Sequence, residues 1–269
     1  MQYEPIKRSL GRVFTKSLFL RKTLYFLLDL LLLRSWHVRK AIRKIAAVLP
    51  ENTFMLDAGS GFGQYTWRMS SLHKKWKIRA IDIMEEQVRD CNDFFAKTGR
   101  AEKVSFETGD LTLLKHEDQF DFILTVDVME HIEKDEMVFF NFYKSLKLNG
   151  ILMISTPSDQ GGSDVHANED HSFIDEHVRD GYGTDEIDRK LKQAGFSKVD
   201  SGYTYGWAGS LSWILSMKYP VKMVNRSYFF FILLPFYYLL FFPVSFFLNI
   251  IDVNSRIKKG TGLLVIAYK

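Results

Sequence analysis

Phe54-Met55-Leu56-Asp57-Ala58-Gly59-Ser60-Gly61-Phe62-Gly63-Gln64 decides the fold of this 269-residue chain. Phe54, Met55 and Leu56 form a short apolar run of the kind found in parallel strands buried on both faces. Asp57 closes the run, and Gly59, Gly61 and Gly63 follow at alternate positions. Glycines at that spacing let the backbone turn sharply and let a ligand lie against the main chain, with a helix N-terminus just beyond. Tyr65, Trp67, Met69 and Leu72 supply the helix-like segment behind the turn, and the next strand, Lys77-Ile78-Arg79-Ala80-Ile81-Asp82, ends on an acid. Two lone acids capping strands would be the plain explanation; a strand, a glycine turn and a helix in the same order make a nucleotide-binding Rossmann sheet the better one.

The glycine spacing separates two cofactors. A nicotinamide fingerprint, Gly-x-Gly-x-x-Gly/Ala, needs a small residue at position 64, where Gln64 stands. The form is instead acid-x-Gly-x-Gly-x-Gly, with Asp57 two residues ahead of Gly59. In this the chain resembles the class I S-adenosylmethionine-dependent methyltransferases. The resemblance implies an α/β fold, a Rossmann-like seven-stranded and mostly parallel sheet flanked by helices. It implies S-adenosyl-L-methionine as cofactor, with the binding residues carried over onto Asp57, Gly59, Gly61, Asp82 and Asp110. Ser60, Ile83, Leu111 and Asp127 stand beside these at the same strand ends. A carboxylate at Asp82 can accept both hydroxyls of a ribose. The resemblance gives Asp110 the adenine amino group, although an aspartate after Gly109 is also a common turn residue.

Further along, Val104 to Glu107 reads as a third strand and Phe120 to Val126 as a fourth. Asp127-Val128-Met129-Glu130-His131-Ile132 follows at the carboxyl end of the fourth, where open α/β sheets place their ligands. That string resembles small-molecule methyltransferases, including the ubiquinone O-methyltransferases. A helix from about Asp135 to Leu146, a fifth strand from Ile151 to Ser155, a helix ending at Ala194-Gly195 and a sixth strand beginning at Phe196 extend the pattern. Thr261 to Tyr268 reads as the seventh strand. The expected organisation is therefore basic, leucine-rich helices over 1–50, a methyltransferase domain over 51–205 and 256–269, and a hydrophobic, membrane-associating insertion over 206–255.

Charge is close to even overall, with 36 Lys and Arg against 32 Asp and Glu, but it is unevenly placed. Residues 1–44 carry Lys7, Arg8, Arg12, Lys16, Arg21, Lys22, Arg34, Arg39, Lys40, Arg43 and Lys44 against Glu4 and Asp29. A basic flank on a net acidic remainder suits a polyanionic surface, either lipid or nucleic acid. Cys91 is the single cysteine, so an internal disulfide is excluded, in keeping with a reducing compartment. The leucine-rich run Leu18 to Leu33 is short for a bilayer crossing, is interrupted by Arg21, Lys22 and Asp29, and is followed by no small-residue cleavage site. It reads either as a helix in the membrane interface or as a cover over the sheet or the substrate pocket. A second helix spans about His37 to Val48.

Tyr228 to Ile251 is almost wholly Phe, Leu, Tyr and Ile, broken by Pro235 and Pro243. The strands on either side of it belong to one sheet, so both ends must lie on the same side of any membrane. Two crossings would need about 40 apolar residues, which this run does not supply. The expectation is a shallow, proline-bent hairpin, or helices embedded in one leaflet, monotopic or re-entrant on the cytoplasmic side. Lys218, Lys222 and Arg226 before the run and Arg256, Lys258 and Lys259 after it would meet the headgroups. A cap on the sheet or a dimer interface is the alternative without a membrane.

Methyl transfer from a sulfonium needs alignment and exclusion of water rather than a protein nucleophile. A hydroxyl acceptor must lose a proton, and His131 is the first candidate to take it, with His171 and His177 second. Asp127, Glu130 and His131 with a later histidine also resemble the metal ligands of small-RNA 2′-O-methyltransferases. No metal site is assigned, because Glu130 and His131 read as helix-start residues whose string recurs in metal-free relatives. The expected reaction is S-adenosylmethionine-dependent methylation of a lipophilic small molecule, a phenolic or quinone-like oxygen, at a membrane lipid surface. A non-catalytic membrane module of the same fold and a nucleic-acid methyltransferase using the basic N-terminus are the alternatives, with nucleic acid the weaker partner.

Overall fold

A computed structural model of the protein describes residues 17–161, 178–227 and 229–269. Lys7, Arg8, Arg12 and Lys16, the loop histidines His166, His171 and His177, and Tyr228 lie outside the described residues. The elements run α1 (Leu18–Leu31), α2 (Leu33–Ala46), β1 (Phe54–Ala58), α3 (Gln64–Met69), β2 (Lys77–Asp82), α4 (Glu85–Lys97), β3 (Val104–Thr108) and β4 (Phe120–Val126). Then come α5 (Asp135–Ser145), β5 (Leu146–Pro157), α6 (Thr184–Ala194), β6 (Lys198–Thr204), α7 (Trp207–Trp213), α8 (Tyr219–Arg226), α9 (Phe230–Asn254) and β7 (Gly262–Tyr268).

The seven strands form one sheet in the order β3-β2-β1-β4-β5-β7-β6. Pairing is parallel from β3 to β5, and β7 runs antiparallel between β5 and β6. The seven-stranded, mostly parallel sheet expected from the sequence is thus present. Alternate residues of the central strands serve two cores, as a period of two requires. Ile123, Leu152 and Ile154 face α5 and α6 through Val138, Phe139, Phe142, Ile187 and Leu191. Leu124, Ile151 and Met153 face α2 and α4 through Val38, Ile42, Val88 and Phe95. The strand order reverses between β1 and β4, which opens a crevice at their carboxyl ends.

Two expectations change. The second helix starts at Leu33 rather than His37, with Leu32 as the sole break between it and α1. The greasy run is not bent into a hairpin by its prolines, because α9 is one 25-residue helix passing through both Pro235 and Pro243. The hairpin is made instead with the preceding arm, α7, a π-helical turn over Ile214–Lys218, and α8. Contacts between the arms run in opposite senses. Gly209 N–H donates to Asp252, the Ser212 hydroxyl to Asn249, and the Tyr237 and Tyr238 hydroxyls to the carbonyls of Leu215 and Ser216.

This hairpin buries its polar side chains and exposes its apolar ones. Ser212, Ser216, Ser245, Asn249 and Asp252 are buried, whereas Phe236 is 69% exposed, Leu239 79% and Leu240 69%. At its base Asp252 accepts from His37 Nε2 of α2 (2.7 Å), Gly209 N–H (2.9 Å) and Tyr205 N–H (3.2 Å). Removing that carboxylate strands three buried donors, which makes Asp252→Ala cost about 3–5 kcal/mol. Asp252→Asn, which keeps an acceptor, costs less. Urea unfolding of the two variants checks the order, and equal midpoints would refute it.

Candidate active site

The site is built on four strand ends. Beyond β1, Gly59 N–H and Ser60 N–H both donate to the Ile81 carbonyl of β2, at 2.8 and 3.0 Å. Gly59 has φ of +78°, and a Cβ there would overlap the Val128 side chain, so only glycine fits. Gly63, at φ +75°, starts α3 from the left-handed region against Phe95, Phe106 and Cys91. Asp82 ends β2 and ties the turn to the next helix: Oδ2 accepts Gly61 N–H at 2.7 Å and Oδ1 accepts Met84 N–H at 2.9 Å. Beyond β3, Gly109 N–H donates to the Asp82 carbonyl at 3.0 Å, which brings Asp110 to the same rim. Beyond β4, Asp127 is held at φ +52°, an uncommon conformation for a residue with a side chain and one that accumulates at functional sites.

The expected residues therefore converge, but not all in one manner. Ser60 and Asp127 line the crevice with Asp82 half-buried beside them, and Ile83 is exposed. Asp110 is exposed, and its Oδ1 accepts from both the N–H and the hydroxyl of Thr112, at 2.8 Å each, so it also does the work of a turn aspartate. Leu111 points into the core. Asp57 is buried beneath the turn, where its carboxylate accepts the Thr66 hydroxyl of α3. Burial pushes the Asp57 carboxyl up to about 7. His131 lies half-buried in a single helical turn, Met129–His131, directly after Val128. Its neighbour Glu130 is buried, accepts the Thr156 hydroxyl at 3.1 Å, and is raised above the usual carboxylate range by desolvation. Among the described residues no group of three or more His, Cys, Asp and Glu side chains is placed to hold a metal.

Some residues at the site carry no sequence signal. Arg34 of α2 reaches across the rim to pair with Asp127. From α1, Arg21 donates to the Phe62 carbonyl at 3.0 Å and Tyr25 to the same oxygen, while Asp29 accepts from Gln64 at 2.8 Å. The helix α1 thus packs on the glycine turn through Arg21, Tyr25 and Asp29 and leaves Phe19 and Phe26 exposed. Cys91 packs under it, with burial pushing its thiol up to about 12. Three buried polar atoms around the crevice have no hydrogen-bond partner: Ser60 Oγ, Gln87 Oε1 and Asp127 Oδ1. Unpaired buried acceptors and donors are costly, and a polar ligand in the crevice would satisfy them.

Residues 49–195 match the family model of a methyltransferase domain. The chain belongs to that family. The S-adenosylmethionine-dependent class and the Rossmann-like fold expected from the glycine turn stand with it, and the orphaned polar atoms and the strand-end carboxylate of Asp82 fit S-adenosylmethionine as the cofactor. The chain is 28% identical over 114 residues to malonyl-[acyl-carrier protein] O-methyltransferase of Bacillus cereus, covering 42% of this chain and 40% of that protein. It is 24% identical over 102 residues to the ubiquinone biosynthesis O-methyltransferase of Rickettsia canadensis, covering 38% and 42%. It spans about two-fifths of the length of these curated relatives. Among solved structures it resembles phosphoethanolamine N-methyltransferase 2 of Haemonchus contortus in complex with S-adenosyl-L-methionine, with a TM-score of 0.61, 17% identity, and 87% of this chain and 52% of that one covered. That likeness is one of fold.

The shift at Asp57 gives the site a pH signature. The folded chain holds this proton more tightly than the unfolded chain, whose carboxyl titrates near 3.8. The resulting stability is complete below about pH 4 and lost as pH rises to 7, about 4 kcal/mol for a three-unit shift. Asp57→Asn, which cannot ionise, should lose that much less between pH 4 and 8 in urea unfolding. Parallel profiles for the two proteins would refute the assignment.

Proposed function

We propose that this protein transfers a methyl group from S-adenosylmethionine to a lipophilic small molecule at a membrane surface, with an oxygen of a phenolic or quinone-like acceptor as the target. The observation that carries the membrane half is the inverted hairpin of α7 to α9, with a polar seam inside and aromatic and aliphatic side chains outside. In water such a surface would drive aggregation. In lipid it is the favourable arrangement, because apolar side chains meet acyl chains and serine and asparagine bond across the helix pair. Among the described residues α9 is also the one helix long and apolar enough to cross a membrane, by length and composition. Thr204 and Gly262 pair in the sheet, so the hairpin leaves and returns at one point. Exposed Lys222 and Arg226 near its tip oppose deep insertion. The hairpin therefore lies in one leaflet, most simply with its long axis in the interface, as a monotopic attachment on the cytoplasmic side.

The donor supplies an electrophilic methyl on a sulfonium. Asp82 accepts the ribose hydroxyls while keeping the glycine turn in shape. Gly59, Ser60 and Gly61 let the donor lie against the main chain, and Asp110 and Ile83 flank the adenine. Arg34, held by Asp127, would offer the donor's carboxylate a cation. With the donor supplying its methyl group to the acceptor oxygen, His131 would take the proton that the acceptor hydroxyl loses. The Glu130 carboxyl beneath fixes the turn that carries this histidine.

Three measurements test the reading. Asp82→Asn should weaken donor binding by about 10- to 100-fold in calorimetry, the worth of charge-assisted hydrogen bonds. His131→Ala should leave donor affinity intact and lower turnover by about 100-fold or more on membrane lipid extract with labelled donor. Replacing Phe236, Leu239 and Leu240 together with serine should cut co-sedimentation with anionic vesicles by at least about 100-fold, at roughly 1.5–3 kcal/mol per side chain. A variant that still sediments with the vesicles would return the hairpin to the role of a dimer interface.

A further inference from the structure

A second concavity lies on the same edge of the sheet as the donor crevice. It is an open groove of about 550 Å³, lined by Gln160, Tyr205, Trp207, Ser210 and Lys259 among others. A volume of that size is within the usual range for a small-molecule site. Its position follows from the topology. Pro157, at the carboxyl end of β5, pairs with Gly262, at the start of the antiparallel β7. Gln160 and Lys259 therefore flank the rim onto which β1, β2 and β4 deliver the donor residues.

Tyr205 forms one wall and connects the groove to the donor site. It is held at φ +59°, which is unusual for a large side chain. Two bonds fix it there: its N–H donates to Asp252, and its hydroxyl accepts Arg34 N–H at 2.9 Å. The guanidinium of the same Arg34 pairs with Asp127. One residue thus separates the groove from the donor rim. On the opposite side the groove opens onto the root of the hairpin, where Trp207 is 73% exposed and Leu211 43%. Lys259 is exposed and makes no hydrogen bond or ion pair among the described residues, with Lys258 and Arg256 close by in the chain.

We propose that this groove is the acceptor subsite and that it takes an amphiphile with an anionic head group. Lys259 meets the negative charge, Trp207 offers a flat apolar face to a ring or the first methylenes, and the apolar chain continues along the exposed hairpin into the leaflet. This rests on the methyltransferase reading and narrows its substrate class. The arrangement explains why the hairpin is rooted at this point of the sheet: a lipid-embedded acceptor needs to rise only from the interface to the rim to meet the donor.

Full-length protein on phosphatidylcholine vesicles, titrated with dodecyl phosphate, neutral dodecyl glucoside and inorganic phosphate, tests the idea by calorimetry. Dodecyl phosphate should bind about tenfold more tightly than the glucoside and than inorganic phosphate, a difference of about 1.4 kcal/mol. Lys259→Glu should erase that preference, and Lys97→Glu, an equal charge reversal on α4 away from the rim, should keep it. Dodecyl phosphate should also raise the apparent KM for labelled methyl transfer to membrane lipid extract without lowering kcat, and Lys259→Glu should abolish this competition. Inorganic phosphate binding as well as dodecyl phosphate would overturn the amphiphile in favour of a free-anion site, and an unchanged preference in Lys259→Glu would overturn the groove. Donor calorimetry on the same preparation separates the two levels. Wild-type protein that binds no S-adenosylmethionine defeats the methyltransferase reading, whereas donor binding with no effect of Lys259→Glu defeats only the acceptor subsite.

Discussion

Asp82 holds the site in shape. Its two carboxylate oxygens accept one N–H from the glycine turn after β1 and another from the start of the helix after β2. A carboxylate bonded to two backbone amides is the stronger, charge-assisted kind of contact, and here it joins two strand ends that would otherwise be tethered only through the sheet. The turn it supports must pass Val128 with no Cβ at Gly59, so the second and fourth strand ends are positioned by the same few atoms. The carbonyl of Asp82 accepts Gly109 N–H and so fixes the third. The donor site is in this sense a consequence of how the strand ends are sewn together.

The hairpin follows a different pattern of burial. In the methyltransferase sheet, apolar residues alternate into two cores and the charged ones face water, as hydrophobic burial in water dictates. Over residues 207–254 that order is reversed, with serine, asparagine and aspartate inside and phenylalanine and leucine outside. Both regimes meet at Asp252, whose carboxylate bonds a histidine of α2, the N–H of Tyr205 and the N–H of Gly209. A charge this deep is stable only when several donors surround it, and the three supplied here come from three different elements.

Most of the sheet was legible because its signals are local. An apolar run ending on an acid, glycines at alternate positions, and a second acid-tipped strand each report on a few consecutive residues, and the strands fell where those signals put them. The hairpin was misread for a physical reason. Proline inside a helix loses one hydrogen bond and bends the axis, and that cost is what suggests a proline-bent hairpin as one of the two arrangements for this run. The partner arm, Trp207–Arg226, supplies enough contact with α9 to keep the helix continuous, and nothing in the local sequence reports that contact. Arg34 was missed for a similar reason. It is one of many basic residues near the N-terminus, and only the folded chain distinguishes it by setting it against Asp127.

The hairpin and the site are connected by one short polar path. Asp252 in the hairpin accepts the N–H of Tyr205, the Tyr205 hydroxyl accepts the N–H of Arg34, and the Arg34 guanidinium pairs with Asp127 at the donor rim. Two of these three contacts involve main-chain atoms, and the third joins two side chains. Tyr205 at positive φ and Asp127 at positive φ are both strained, and strain of that kind persists only where surrounding bonds over-determine the backbone. The root of the hairpin and the donor rim thus share one continuous chain of polar contacts. A lipid-bound hairpin with a fixed tilt would present the groove and the crevice to the leaflet in a fixed order, head group first and reacting oxygen next. That ordering follows from placing the anchor, the cation and the donor rim along one edge of a single sheet.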